Sequence, residues 1–190
     1  MPKKPTTSRE DMIEGAFRLI REKGADALTA RNLAAALGCS TQPVMYQFPD
    51  LSELREAVYQ RAGRYHTEYI LSPEGLLETG MRYIRFAAEE PNLFRFLFQS
   101  GHFEGKSLMD MILSPEAEPV LLAAASDLHL SEKAAASAFT ALFAAVHGYA
   151  SLIANNAMRY DPDDVRKTLS VLGESLMAWE KANDPSLPQK

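Results

Sequence analysis

The chain has 190 residues, 46% hydrophobic and 24% charged, the makeup of an ordinary globular protein with room for one large domain or a small one beside a medium one. Its single cysteine, Cys39, excludes an internal disulfide framework, and the N-terminal MPKKPTTSRED lacks the apolar core of a secretory signal, so a reducing, cytoplasmic setting is expected. The net charge of −5 is uneven: residues 1–48 carry seven Lys/Arg against five acids while the remainder is acidic, an asymmetry that admits a polyanion partner at the head.

No alternating apolar/polar run between hairpin turns occurs, and an all-α fold is expected. Thr7 or Ser8 caps a first helix, Met12, Ile13, Ala16, Phe17, Leu19 and Ile20 form its apolar side, and Gly24 ends it. Thr29 caps a second helix carrying Leu33, Ala34 and Leu37, stopped by Gly38. The nonapeptide STQPVMYQF follows. Asp50 caps the next helix, with Leu51, Leu54, Val58 and Tyr59 as its stripe. Beyond the break at Ser72-Pro73, a helix runs from about Pro73 to Glu90 and stops at Pro91. Asn92 to Gln99 is a short aromatic helix, and SGHFEGKS is a loop. Two shorter helices are expected over 107–113 and 115–127. Ser131 caps a long alanine-rich helix, Asp161-Pro162 opens the last one, and the tail 184–190 is expected to be disordered.

From Ala134 to Met158 there is no Asp, Glu, Lys or Arg, a length that could span a bilayer. The stretch is mostly alanine with Ser137, Thr140, His147, Ser151, Asn155 and Asn156 interspersed, and its flanks lack aromatic and basic anchors. A helix buried within protein is expected, and no membrane partner.

The second and third short helices, joined by Gly38-Cys39-Ser40, have the dimensions of a helix-turn-helix. Gly38 accepts the positive φ of a tight turn, and Ala34, Ala35 and Ala36 let two helices approach closely. A recognition helix presents its N-terminal residues to base edges. Ser40, Thr41 and Gln42 are short and polar enough to do so, and glutamine can pair with adenine. Pro43 falls where helix N–H groups have no intrahelical partner, so a proline loses little there. Either Ser40 is the N-cap and Pro43 the third helical residue, or Gln42 is the cap and Pro43 the first; the former is favoured. In both cases the proline presents apolar surface that suits a thymine methyl.

Residues 8–54 resemble the DNA-binding domain of the TetR family of transcriptional repressors, through MIEGAFRLIREKGADALTARNLAAALGCS followed by VMYQF and LSELREAV. The resemblance implies phosphate contacts by Thr29 and Arg31 at the opening of the second helix. It implies major-groove reading by Ser40, Thr41, Gln42, Pro43, Tyr46 and Gln47. Two positions depart from the family pattern: Met45 stands where a tyrosine is usual, with Tyr46 one place on, and Leu51 stands where a lysine is usual. The missing lysine removes one phosphate contact, lowering the salt slope by about 1, so that binding is expected either to be weaker or to lean on Lys3, Lys4 and Arg9.

In the body, YIRFAAEEPNLFRFLFQSGHF gathers aromatic residues flanked by Met81, Met109 and Met111, apolar and adaptable walls that suit a small molecule. The expected effector set is Phe86, Phe94, Phe98, His102, Phe103 and His147. For any one phenylalanine the competing reading is plain core, and His147 admits a satisfied core histidine equally. Arg82, Arg85 and Arg95 are expected to face water. EEPNLFRFLF together with VHGYASLIANN is similar to a TetR C-terminal subgroup marked by Trp-His-Gly, with Val146 in place of the tryptophan. In the alanine-rich helix Phe139, Leu142, Phe143, Val146, Tyr149 and Ile153 form one apolar side, and Ala134, Ala138, Ala141 and Ala145 continue it round. Val165, Leu169, Leu172, Leu176 and Trp179 follow helical spacing in the last helix. Apolar residues on two faces call for two partners, its own core and a second subunit, so a homodimer through a four-helix bundle is expected.

Enzyme readings fare poorly. Gly105-Lys106-Ser107 suggests a phosphate loop, but the required first glycine would be Ser100. His66, His102, His129 and His147 have no i, i+4 pairing with each other or with Cys39, so neither a metal nor a cofactor is expected. The resulting expectation is a helix-turn-helix domain over 1–54 and an effector-binding and dimerisation domain over 55–183. Together they make a ligand-responsive repressor, without enzymatic activity, that binds a near-palindromic double-stranded DNA operator. The alternative is a helical, dimeric small-molecule module with a degenerate head.

Overall fold

The computed structural model describes residues 7–72, 74–101, 105, 107, 110 and 132–183. Lys3, Lys4, His102, Phe103, Met109, Met111, His129, the Ser131 cap, most of the expected helices over 107–113 and 115–127, and the tail lie outside the described residues. Eight α-helices and one short 3-10 turn, Ala25–Ala27, make up the regular structure of what is described, and no strand occurs among these residues. In chain order the helices are α1 (Arg9–Lys23), α2 (Ala30–Ala36), α3 (Thr41–Gln47), α4 (Leu51–Ile70), α5 (Leu76–Glu89), α6 (Pro91–Phe98), α7 (Glu132–Ala154) and α8 (Pro162–Asn183). No helix among the described residues is long and apolar enough to cross a membrane.

The chain divides into two compact units, Met1–Tyr65 with Asn92–His102, and His66–Pro91 with Phe103–Lys190. The sequence-based boundary at residue 54 thus lies inside α4. The first unit contains α1 to α3, most of α4, and nearly all of α6. Met12, Phe17 and Ile20 of α1, Leu33 of α2, Val44 of α3, Phe48, and Leu54 and Val58 of α4 are its buried centre. Each such side chain contributes about 1.5–3 kcal/mol by leaving water. The side chain of Asn92 ties α6 to this unit. Its Nδ2 donates to the Arg21 carbonyl at 3.0 Å, satisfying an acceptor in the last turn of α1. Arg95 donates back to Asn92 Oδ1 at 2.7 Å. In the second unit α5 packs most extensively against α7, and α8 packs against both.

Three arginines expected in water, Arg82, Arg85 and Arg95, are half-buried instead. Arg82 donates to the Leu71 carbonyl at 3.2 Å, and Arg95 to Asn92. Their long apolar stems cover core surface while the guanidinium finds an acceptor, which periodicity alone does not reveal.

Local capping follows the sequence closely. Ser8 and Asp11 form a capping box, the Asp11 N–H donating to Ser8 Oγ at 3.0 Å and the Ser8 N–H to Asp11 Oδ2 at 2.9 Å. Hydrogen bonding to the carboxylate from the Ser8 backbone N–H first, and then from the Ser8 side chain, holds the Asp11 carboxyl below its ordinary range. Thr29 Oγ1 accepts from the Asn32 N–H at 3.1 Å. Ser40 has the same extended N-cap backbone, yet its side chain makes no cap hydrogen bond. Pro43 is the reason: it occupies the third helical position, where the donor would be, and has no N–H. Ser8→Ala and Thr29→Ala are each expected to cost about 1 kcal/mol of stability in urea unfolding followed by circular dichroism, and Ser40→Ala only a few tenths. An equal loss at Ser40 would contradict this account of the third cap.

Candidate nucleic-acid interface and aromatic cage

The turn between α2 and α3 closes as a Schellman motif. Cys39 N–H donates to Ala34 O at 3.0 Å and Gly38 N–H to Ala35 O at 3.2 Å, with Gly38 at φ 64°. That conformation suits glycine and sets the direction in which α3 leaves α2. On the inner side, an added Cβ at Gly15 of α1 would stand 2.8 Å from Leu37 Cδ2, so α1 and the end of α2 are in close contact.

Helical geometry assigns the faces of α3. Val44 is fully buried. At about 100° per residue, Gln42 and Tyr46 fall nearly opposite Val44, one turn apart on a common outward edge. Both are exposed, Tyr46 at 82%. Thr41 and Met45 flank this edge on one side and Pro43 on the other; Met45 is 44% exposed. Ser40, at the helix entry, is exposed and Gln47 half-buried. The phenol therefore occupies the centre of the outward face, and Met45, in the place usual for it, the side. At the opening of α2, Thr29 and Arg31 are exposed. Thr29 Oγ1 already accepts a capping bond, which leaves its own O–H to donate to a phosphate oxygen.

Arg9, read from the sequence as a compensating phosphate contact, is engaged inward. Its NH1 donates to the Gln47 carbonyl at 3.0 Å, its NH2 meets Glu53 Oε1 at 2.5 Å, and its guanidinium carbon sits 4.0 Å from the centre of the Phe48 ring. Nothing in the local sequence signals this, because the partners stand 38 and 44 residues away.

Of the expected effector residues, Phe86 and His147 belong to the second unit, where His66 and Tyr83 connect them. His66 packs edge-on against Tyr83 at 5.1 Å and Phe86 at 4.9 Å. Tyr83 Oη lies 2.9 Å from His147 Nδ1, and Phe143 stacks on the His147 ring at 5.6 Å. Phe94 and Phe98 belong to the first unit, their rings paired at 5.0 Å. His66 was not singled out from the sequence, although it extends the buried series Leu54, Val58, Ala62 of α4 by another four residues. Burial drives the His66 imidazole down to about 3, with the His147 ring adding to the effect. Burial also lowers His147. The cage is therefore uncharged at neutral pH: aromatic rings packed with the Tyr83–His147 pair and the neutral His66 imidazole.

Two family descriptions match the chain. "Bacterial regulatory proteins, tetR family" covers residues 12–58, and "Tetracyclin repressor-like, C-terminal domain" covers 76–176, over half of the chain. The chain is 31% identical over 94 residues to the HTH-type transcriptional repressor AcnR of Corynebacterium glutamicum, and equally so to that of Corynebacterium efficiens. Each match spans 50% of this chain and 47% of the relative, so the chain covers about half the length of these proteins. A TetR-family transcriptional regulator from Streptomyces coelicolor shares the fold with a TM-score of 0.74 at 23% identity, over 93% of this chain and 82% of that one. A second TetR-family member from the same species has a TM-score of 0.59 at 20% identity, over 86% of this chain and 96% of its own.

The histidine cage has a pH signature. A group with a depressed folded pKa leaves the unfolded chain binding more protons, so its stability contribution is complete above about pH 6.5 and is lost as pH falls toward about 3. Urea unfolding is expected to weaken between pH 6.5 and 5 by up to about 1.4 kcal/mol per pH unit from His66. His66→Phe should flatten that slope, and an unchanged slope would contradict the assignment.

Proposed function

The chain belongs to the TetR family of bacterial regulatory proteins, and from that premise we propose that it is a transcriptional repressor that reads a near-palindromic operator as a homodimer and is released by a small molecule. The carrying observation is the outward edge of α3. Gln42 and Tyr46 stand side by side opposite buried Val44, on a helix entered through Ser40 with its hydroxyl uncommitted to capping. Gln42 then reads an adenine, Tyr46 reaches a base edge or the backbone, and Pro43 and Met45 offer apolar contact to thymine methyls. Thr29 and Arg31 hold the phosphate backbone and fix the register.

One recognition helix specifies few base pairs, so two heads are needed. The exposed apolar residues of α7 and α8 support a second copy as the partner. Leu152, Val171 at 59% and Trp179 at 58% exposure stand outside the core that Val165 and Leu169 help fill. Gly148 has nothing within 4 Å of where a Cβ would be, leaving room for close helix approach. Of the expected stripe of α8, Val165 and Leu169 turn inward, Leu172 and Leu176 are half-buried and Trp179 is exposed, while Val171, outside that stripe, adds to the outer surface.

The effector reading centres on the cage of His66, Tyr83, Phe86, Phe143 and His147. A ligand that favours one arrangement of the dimer over another shifts the population away from the DNA-binding state by its differential affinity. The alternative, a ligand-binding dimer with a degenerate head, draws on Met45 and Leu51, where a phenol and a lysine are missing.

Selection from a randomised duplex pool followed by gel shift separates these readings. Arg31→Ala is expected to weaken binding to all sequences and reduce the salt slope by about 1, whereas Gln42→Ala relaxes base preference at one position by about 1–3 kcal/mol. Failure to enrich any duplex would favour the degenerate head. In sedimentation velocity the unaltered chain is expected to run as a dimer and Val171→Asp as a monomer; a monomeric unaltered chain would remove the dimer reading.

A further inference from the structure

We propose that Arg9 is a positioning residue for DNA reading, which fixes the C-terminal end of the recognition helix rather than binding phosphate. The inference rests on the DNA-binding role given to α3 above. A helix of two turns leaves most of its carbonyls without intrahelical donors and is unstable alone. In α3 the Val44 carbonyl is taken by the Phe48 N–H at 2.8 Å. The Gln47 carbonyl is taken by Arg9 NH1 at 3.0 Å. The same guanidinium lies 4.0 Å over Phe48, whose ring is fully buried, and pairs with Glu53 in the first turn of α4. One planar group thus joins the start of α1, the end of α3 and the start of α4.

Three features set Arg9 apart from an ordinary surface ion pair. Its side chain is only 38% exposed. Two of its nitrogens are committed to acceptors inside the unit. Its positive charge also sits at a helix C-terminus, where the carbonyl dipoles favour it. Tyr46 precedes the clamped carbonyl by one residue, so a shift of this end displaces the outward edge directly. Lysine cannot reproduce the arrangement, since a point charge cannot stack on the ring and bridge two acceptors in fixed directions.

The test uses the full chain, a duplex selected from a random pool by the unaltered protein, and poly(dI-dC) as non-specific DNA. Arg9→Lys keeps the charge and loses the clamp. It is expected to bind the selected duplex about tenfold more weakly, to stay within about twofold on poly(dI-dC), and to keep the salt slope. Glu53→Gln is expected to lower the ratio of specific to non-specific affinity as well. A phosphate-contact role predicts the reverse pattern: Arg9→Lys near wild type, Arg9→Ala losing about one unit of salt slope, and Glu53→Gln binding more tightly. That pattern overturns the proposal, as does an urea midpoint that falls while both DNAs weaken equally, which marks a purely structural residue. If the unaltered protein selects no duplex, the DNA-reading proposal falls and this one with it. If it selects one and Arg9→Lys binds unchanged, only the clamp falls.

Discussion

A seven-residue helix cannot hold its own shape in water, because nucleation costs more than two turns of hydrogen bonds return. Everything attributed to the head depends on α3 being held from outside. Its entry is set by the Schellman turn at Gly38, its inner face by Val44 and Phe48, and its exit by Arg9. These constraints leave the opposite face for Gln42 and Tyr46. For the proposed base reading this rigidity matters: bidentate base contacts discriminate only when the side chains arrive in a fixed orientation. The proline at the third helical position serves the same end. It stiffens the entry and leaves the Ser40 hydroxyl without a capping partner, whereas Ser8 and Thr29 use theirs to cap.

The second unit is built on a different physical basis. Its cage joins α4, α5 and α7 through rings rather than ion pairs, and burial keeps both imidazoles neutral. Its polar groups are the Tyr83–His147 pair and the His66 imidazole. Charging it is costly, which links its packing to pH.

Much of the head is legible in the sequence. Gly24, Gly38 and the caps at Ser8, Thr29 and Asp50 are local signals, each acting within four residues, and the sequence carries them openly. Ser40 as N-cap follows from the same local rules. Periodicity also identified the inward side of α4 and could have been carried on to His66. What local rules cannot reach is contact between distant segments. Arg9 meets Gln47 and Glu53 across long stretches of chain, and Asn92 reaches the end of α1 across 71 residues. Nearness in sequence links Phe86 to Phe94 and Phe98, while the structure assigns Phe86 to the second unit and the paired rings of Phe94 and Phe98 to the first. Arg82 and Arg95 were misjudged because a charge predicts where the guanidinium ends, not how much of its stem is covered.

The central claim is that two heads enter the major groove through the Gln42–Tyr46 edge. Dimethyl sulfate protection tests it directly, because guanine N7 lies in the major groove and adenine N3 in the minor. On a duplex selected by the unaltered protein, the account predicts protected guanines in two dyad-related tracts about one helical turn or a small multiple apart, with the adenine N3 positions within those tracts still reactive. Protection confined to adenine N3, or a single unpaired tract, would contradict it.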